Sequence, residues 1–178
     1  MTPRRAGNLP YRRCIGAFLI NREGRVLVGQ RADRDEPAWQ LPQGGIEENE
    51  TPRQAVLREL AEEIGTDRAT VIGEMPGWVA YDFPGDLAAR VWDGRYRGQK
   101  QKWFALRFEG SDADIDLAAS ERPEFRDWKW VPVDALAALA VPFKRQVYET
   151  LVARFGPLAD AAVPPCIAAS GDPSSGHG

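Results

Sequence analysis

Three glutamates, Glu59, Glu62 and Glu63, are clustered in a segment with strong helical signals. On a helix that advances about 100° per residue, positions 62 and 63 lie within about one sixth of a turn on either side of position 59. Carboxylates at this spacing repel one another, so they either form a solvated acidic face or bind a cation. Carboxylate oxygens are preferred ligands of hard divalent ions such as Mg²⁺. The spacing therefore predicts a candidate metal site on one exposed ridge of a helix.

The composition limits the other chemistry that the chain can perform. Its 178 residues, 43% of them hydrophobic and 28% charged, suit one compact domain with a core. The only histidine is His177, and the two cysteines, Cys14 and Cys166, are far apart in the sequence. A catalytic triad built on imidazole and a zinc site built on His and Cys are therefore excluded. The chemistry must use carboxylates, amides, Lys, Arg or a hard metal ion.

The net charge of -3 hides two oppositely charged segments. Residues 44–66 contain six glutamates and two arginines, whereas residues 90–107 contain six Arg or Lys residues and one aspartate. An acidic segment that binds metal next to a basic one suits a polyphosphate ligand, because the cations bind the phosphates that the metal does not cover. The alternative for the basic segment is a solvated surface.

Capping signals predict where the glutamate helix begins and ends. Thr51 is a preferred N-cap residue, Pro52 suits the first helical position, and Gln54 completes a capping box. Gly65 is a typical C-terminal stop. The apolar residues of this segment fall together on another side of the helix, which predicts that this side packs on the core.

Around this helix, hydrophobic alternation predicts a sheet that begins with a hairpin. Residues 1–156 are expected to form the domain and residues 157–178, rich in Pro, Ala, Ser and Gly, a flexible C-terminal tail. The longest apolar runs are far shorter than the roughly 20 residues that cross a bilayer, so we expect a cytoplasmic monomer without a membrane partner. The predicted strands are 14–20, 25–29, 70–74, 78–81, 102–108 and 125–131, and the further predicted helices are 133–140 and 143–155.

The residues from Gly44 to Gly65 resemble the signature of a known family. Gly44, Glu50, the run Arg58-Glu59-Leu60, the pair Glu62-Glu63 and Gly65 reproduce the spacing of the Nudix box, and only Thr66 departs from its aliphatic preference. The resemblance to Nudix hydrolases implies an α+β fold, an α/β/α sandwich with a mixed β-sheet. It also implies a Mg²⁺- or Mn²⁺-dependent hydrolase that cleaves nucleoside diphosphates linked to another moiety.

The same resemblance assigns roles within the box. Glu59, Glu62 and Glu63, with the carbonyl of Gly44, would be the metal ligands. Glu50 and Arg58 would hold the loop and the helix together, a structural role shared with Gly65.

Four further segments, 39–45, 96–104, 124–130 and 141–145, resemble the bacterial RNA pyrophosphohydrolases and the related dinucleoside polyphosphate hydrolases within that family. Glu124 would then be a further metal ligand or a base, and one of the four glutamates would accept a proton. Phe143 with Lys144 would stack on a base and hold phosphate, whereas Trp103, Trp128 and Trp130 are expected to pack in the core. The candidate substrate-binding residues are Arg12, Arg31, Gln43, Gln99, Lys100, Lys102, Phe143 and Lys144.

Three functions follow as hypotheses. The first is removal of pyrophosphate from triphosphorylated RNA 5′ ends, or of phosphate from diphosphorylated ends, which leaves a 5′ monophosphate and promotes mRNA decay. The second is hydrolysis of dinucleoside polyphosphates with no role on RNA. The third, a non-catalytic nucleotide- or RNA-binding module, would be marked by loss of the ridge glutamates, and all of these are present. DNA is not expected as a partner.

Overall fold

A computed structural model of the protein describes residues 8–163. Within this range the chain forms one eight-stranded mixed sheet. The strands are β1 (Tyr11–Ile20), β2 (Val26–Arg31), β3 (Trp39–Gln40), β4 (Gln43–Gly45), β5 (Ala69–Glu74), β6 (Val79–Asp82), β7 (Gly98–Phe108) and β8 (Phe125–Val131).

The centre of the sheet is a long parallel pair, β1 and β7, which run in register from Tyr11 opposite Gly98 to Ile20 opposite Arg107. The remaining pairs are antiparallel, and β4 pairs with β1 through Ile15 and Gly44. This pairing brings the segment before the glutamate helix to the middle of the sheet. Because side chains alternate along a strand, β1 and β7 each send neighbouring residues to opposite faces.

Two helices cover the two faces of the sheet. Helix α1 (Pro52–Ile64) packs on one face, where Val56 and Leu60 join a core cluster with odd-numbered β1 residues such as Ile15. The long C-terminal helix packs on the other face with Phe18 and Trp103. The predicted α/β/α sandwich with a mixed sheet is confirmed. The helices are α1, α2 (Gly85–Ala88), α3 (Leu136–Leu139) and α4 (Arg145–Ala162), and the 3₁₀ turns are Val91–Gly94, Asp112–Asp114, Leu117–Ala119, Val133–Ala135 and Pro142–Lys144.

Helix α1 begins and ends where the capping residues predict. The Thr51 side chain accepts a hydrogen bond from the backbone N–H of Gln54, and the Gln54 side chain accepts one from the N–H of Thr51. Gly65 ends the helix with a φ of 75°, a left-handed conformation that favours glycine. The ends of α1 are therefore fixed by local sequence, and its apolar face fixes its orientation on the sheet.

Helix α4 continues beyond the predicted boundary at 156. It runs through Pro157 to Ala162, with Phe155 and Ala159 buried against the sheet, so residues 157–162 are helical where the sequence predicted a tail. Val147, Leu151, Phe155 and Ala159 bury one continuous stripe, and this packing extends the helix past a proline. The rest of the predicted tail, with Cys166 and His177, lies outside the described residues. Between residues 8 and 163, none of the helices has both the length and the apolar character that a bilayer crossing requires.

Candidate active site

One part of the site is formed by strand β4 and helix α1, which are in close contact. A Cβ atom at Gly44 would overlap the carboxylate of Glu59, so only glycine lets the helix carboxylate approach the strand backbone this closely. On the same strand, the backbone N–H of Gln43 donates a 3.1 Å hydrogen bond to Oε2 of Glu63. Two helix carboxylates therefore meet the backbone of β4 directly.

Arg58 fastens the helix to the loop that precedes it. Its guanidinium binds the Glu50 carboxylate through two bonds of 2.8 and 3.0 Å and the carbonyl of Gly45 at 2.8 Å. It also donates 3.1 Å hydrogen bonds to Glu59 and to Glu62. Charge-assisted, bidentate contacts of this kind are strong and geometrically specific, so Arg58 sets the relative position of loop and helix.

The prediction that all three glutamates are exposed is wrong for Glu59 and Glu63. Glu62 is exposed, but Glu59 and Glu63 are buried, with 8% and 3% of their surface accessible. Strand β4 lies against Glu59 and Glu63, and Glu124 is close enough to Glu63 to interact with it, which a helical projection alone cannot reveal. Burial raises the pKa of Glu59 to about 7, with Arg58 opposing the shift. Burial first, and then the nearby charge of Glu124, raise the pKa of Glu63 well above its ordinary value.

A cavity of about 530 Å³ opens beside these glutamates. Its acidic lining residues are Asp33, Glu59, Glu62 and Glu124. Cationic side chains from four separate parts of the chain line the same cavity: Arg12, Arg31, Arg34, Arg90 and Lys144. Carboxylates and cations in one cavity suit a ligand that carries both phosphates and their counter-cations.

Local contacts hold the cationic side chains in place. The guanidinium of Arg12 packs against Gly45, where a Cβ would displace it, and lies 4.6 Å from the centre of the Trp92 ring. Arg31 is held by the carboxylate of Asp33, with Nε 2.7 Å from Oδ1. Lys144 is 9% exposed, and burial lowers its pKa to about 8, an effect that Arg31 and Arg34 reinforce. Phe143 lies beside it on the cavity wall.

Comparison with known proteins identifies the family. The NUDIX domain profile matches residues 10–151. The chain belongs to the NUDIX family.

Among curated relatives, a Rhodospirillum rubrum protein named RNA pyrophosphohydrolase is 55% identical over 162 residues, which covers 91% of this chain and 95% of the relative. A Roseobacter denitrificans protein of the same name is 51% identical over 157 residues, which covers 87% and 98%. Among solved structures, the E. coli dihydroneopterin triphosphate pyrophosphohydrolase is 29% identical with a TM-score of 0.62, and the match covers 82% of this chain and 99% of that one.

NUDIX hydrolases generally need a divalent metal ion, and the residues of this site fit one. Oε1 of Glu63 is buried without a hydrogen-bond partner among the described residues. An unpaired buried carboxylate oxygen is costly, and a cation would satisfy it. The Glu59 carboxylate lies against the backbone of Gly44. The glutamate carboxylates and the Gly44 carbonyl offer a metal ion only oxygen ligands, which hard divalent ions prefer.

Arg58 contacts two of the candidate metal-binding glutamates of this NUDIX domain. Across residues 8–163, no three acidic, His or Cys side chains already converge in a ligand arrangement. Arg58 binds one oxygen, Oε1, of Glu59 and of Glu62. The second oxygen of each carboxylate, Oε2, is not bound by Arg58 and can face a cation.

The predicted basic segment, 90–107, contributes less to the site than its charge indicates. Lys100 and Lys102 are not among the cavity residues, because they point to the α1 face of β7 while Gln99 points to the cavity. Lys102 binds the carbonyl of Met75 at 2.6 Å and the carboxylate of Glu74 at 2.9 Å. Of the six basic residues in this segment, Arg90 alone lines the cavity.

Several residues that line the cavity of this NUDIX domain were not predicted from the sequence. Arg34 lies in a charged loop, and no local signal predicts that it lines the cavity; Tyr81 and Trp92 were not singled out either. The alternation of residues 99, 101 and 103 on β7 is a signal that could have separated Gln99 from Lys100. Trp103 is fully buried in the core, as expected, whereas Trp128 and Trp130 are half-buried and contact each other edge-on.

Proposed function

We propose that this NUDIX hydrolase removes pyrophosphate from triphosphorylated RNA 5′ ends, or phosphate from diphosphorylated ends, and leaves a 5′ monophosphate. The observation that carries the proposal is the similarity to curated RNA pyrophosphohydrolases, at 51–55% identity over at least 84% of the chain. The cavity supports it, because its cationic side chains suit a polyphosphate. Removal of the 5′ pyrophosphate promotes mRNA decay.

The residues of the chain divide between binding and chemistry. Arg12, Arg31 and Lys144 bind phosphate oxygens, since all three are cationic and face the cavity. Phe143, half-buried beside Lys144, supplies a flat surface for the first bases. Arg34 also lines the cavity and adds positive charge there. Lys100 and Lys102 have no part in binding the 5′ phosphates, because they lie on the opposite face.

Glu59, Glu62, Glu63 and the Gly44 carbonyl are the residues that would hold the divalent ion, Mg²⁺ or Mn²⁺. Such an ion neutralises phosphate charge and lowers the pKa of a water bound to it. Glu124 lines the cavity and interacts electrostatically with Glu59 and Glu63, so it is placed to join them as a ligand or to accept the proton of the attacking water. Glu50 and Arg58 keep loop and helix together throughout.

The enzyme is also proposed to act as a monomer. An mRNA substrate supports a cytoplasmic location. Neither statement depends on the details of the metal site.

A comparison of two substrates tests the proposal. Initial rates are measured at matched concentrations of a 5′-triphosphorylated RNA and of diadenosine tetraphosphate, with Mg²⁺ in excess. The proposal predicts a higher kcat/KM for the RNA, measured as pyrophosphate release. Equal or greater efficiency on the dinucleotide would instead favour a dinucleoside polyphosphate hydrolase with no role on RNA. The variant Glu62→Gln is the control for contaminating phosphatases.

A further inference from the structure

A row of buried side-chain amides lies between strands β4 and β7, at the back of the cavity. Gln43, Gln99 and Gln101 are 8%, 3% and 1% exposed. Gln43 and Gln99 line the cavity, whereas Gln101 lies behind them and does not. When three buried amides contact one another, the orientation of one fixes the orientations of the others, because each NH₂ donor has to face an oxygen acceptor.

Trp103 fixes the orientation of Gln101. The indole N–H can only donate, and it lies 3.2 Å from Oε1 of Gln101. The indole itself cannot move, because it is fully buried, packs on Gly16 where a Cβ would overlap the ring, and meets Tyr148 edge-on at 6.4 Å. The oxygen of Gln101 therefore faces Trp103, and its NH₂ group faces the other way.

That NH₂ group fixes the next two amides. Nε2 of Gln101 donates 3.0 Å hydrogen bonds to Oε1 of Gln43 and to Oε1 of Gln99. Lys144, a group that can only donate, reaches the same Gln43 oxygen at 3.2 Å, and the hydroxyl of Tyr81 reaches the Gln99 oxygen at 2.6 Å. Two separate donor-only groups, the indole and the ammonium, thus require the same orientation.

The amide nitrogens of Gln43 and Gln99 must then point away from this row. Within residues 8–163 neither nitrogen donates to a protein atom, although both residues line the cavity. Both NH₂ groups are therefore left to face the cavity, which Lys144 also lines. The oxygens of both amides are already bound by donors of the row, so these two residues offer the cavity hydrogen-bond donors.

We propose that Gln101 is a positioning residue that sets this polarity: anchored by Trp103, it turns the NH₂ groups of Gln43 and Gln99 into the cavity, where they bind an anionic phosphate oxygen. A phosphate oxygen can only accept, so it pairs with the NH₂ donors of Gln43 and Gln99. The identity of the whole substrate rests on the proposed function. The polarity of the wall does not.

The first test uses the unmodified protein. Methylenediphosphonate, a non-hydrolysable analogue of pyrophosphate, is titrated in the presence of Mg²⁺ while the side-chain amide signals of ¹⁵N-labelled glutamines are followed by NMR. We expect the NH₂ signals of Gln43 and Gln99 to shift with the ligand, and that of Gln101 to be protected from solvent exchange. Unshifted Gln43 and Gln99 signals at saturation would overturn the proposal.

The second test removes the anchor. Gln101→Leu keeps the volume of the side chain but leaves Gln43 and Gln99 free to rotate, and we expect the Kd for methylenediphosphonate and the KM for triphosphorylated RNA each to rise about tenfold, with a smaller change in kcat. The matched control is Tyr148→Phe, which loses a buried 2.9 Å hydrogen bond that the Tyr148 hydroxyl oxygen accepts from the Leu41 N–H in the same core. The control should leave the Kd unchanged.

The outcomes separate the two proposals. An unchanged Kd in Gln101→Leu, with stability lowered as in the control, would reduce Gln101 to a packing residue and overturn the inference. Tight phosphonate binding by a protein that does not act on triphosphorylated RNA would contradict the proposed function and leave the inference standing. Should Gln101→Leu not fold, Gln101→Met provides the binding measurement, and the NMR titration decides independently.

Discussion

Lys144 is predicted to lower the stability of the free enzyme, because its ammonium is buried. Burial lowers the pKa of Lys144 from its ordinary value of 10.5 to about 8. The folded state therefore binds fewer protons than the unfolded state between pH 8 and 10.5, and stability rises with pH across that window. Below pH 8 the cost is fully present, and a shift of this size corresponds to about 3 kcal/mol.

The substitution Lys144→Met removes the buried charge and keeps most of the side-chain volume. It also removes the contact with Gln43, worth about 1 kcal/mol. We therefore expect the free energy of unfolding at pH 7 to rise by about 2 kcal/mol, while the KM for triphosphorylated RNA rises strongly. By pH 10 the gain in stability should fall by more than half, because wild-type Lys144 is then mostly neutral.

Urea denaturation at pH 7 and pH 10, without substrate, measures both effects. Lys100→Met is the matched control, since Lys100 is exposed on the opposite face of the sheet, and its stability should change by less than about 0.5 kcal/mol. A Lys144→Met protein that is no more stable than wild type at pH 7, or whose advantage is the same at pH 10, would refute the reasoning.

Three further substitutions test the glutamate side of the site. Gly44→Ala should destabilise the protein by about 1–3 kcal/mol in thermal denaturation and abolish most turnover, because its Cβ overlaps Glu59; Gly85→Ala, which adds a Cβ in open space, should do neither. Glu62→Gln should keep the fold and lose most turnover, and near-normal hydrolysis at saturating Mg²⁺ would remove Glu62 from the mechanism. Arg58→Lys should cost about 2 kcal/mol in urea denaturation by losing the bidentate contact with Glu50, whereas the exposed Arg53→Lys serves as its control, and equal stability of the two variants would contradict the role of Arg58.

Local signals in the sequence predicted the fold well. Helix α1 has the predicted bounds because Thr51, Gln54 and Gly65 act within one turn of its ends. Strand β8 matches the predicted 125–131, since alternation marks a half-buried strand. The end of α4 was missed, because the burial of Ala159 against the sheet depends on tertiary packing that overrides Gly156 and Pro157.

The part of the site that lies on a single helix was predictable, because residue spacing along that helix determines which side chains lie together. The glutamates of α1 and their contact with Gly44 follow from the box, but their burial depends on β4, which pairs with β1 through long-range contacts. Net charge along the segment 90–107 was a poor guide, because strand alternation sends Lys100 away from the cavity and Gln99 into it. The cavity takes its cations instead from residues far apart in the sequence, such as Arg12 and Lys144.

The most direct test of the central claim is product analysis on an RNA substrate. The wild-type protein is incubated with Mg²⁺ and an RNA whose 5′ triphosphate is labelled at the γ position, and the products are separated. The proposed function predicts labelled pyrophosphate, or phosphate released stepwise, and an otherwise intact RNA with a 5′ monophosphate, and it predicts neither product with Glu62→Gln. An RNA that keeps its triphosphate under conditions in which diadenosine tetraphosphate is cleaved would contradict it.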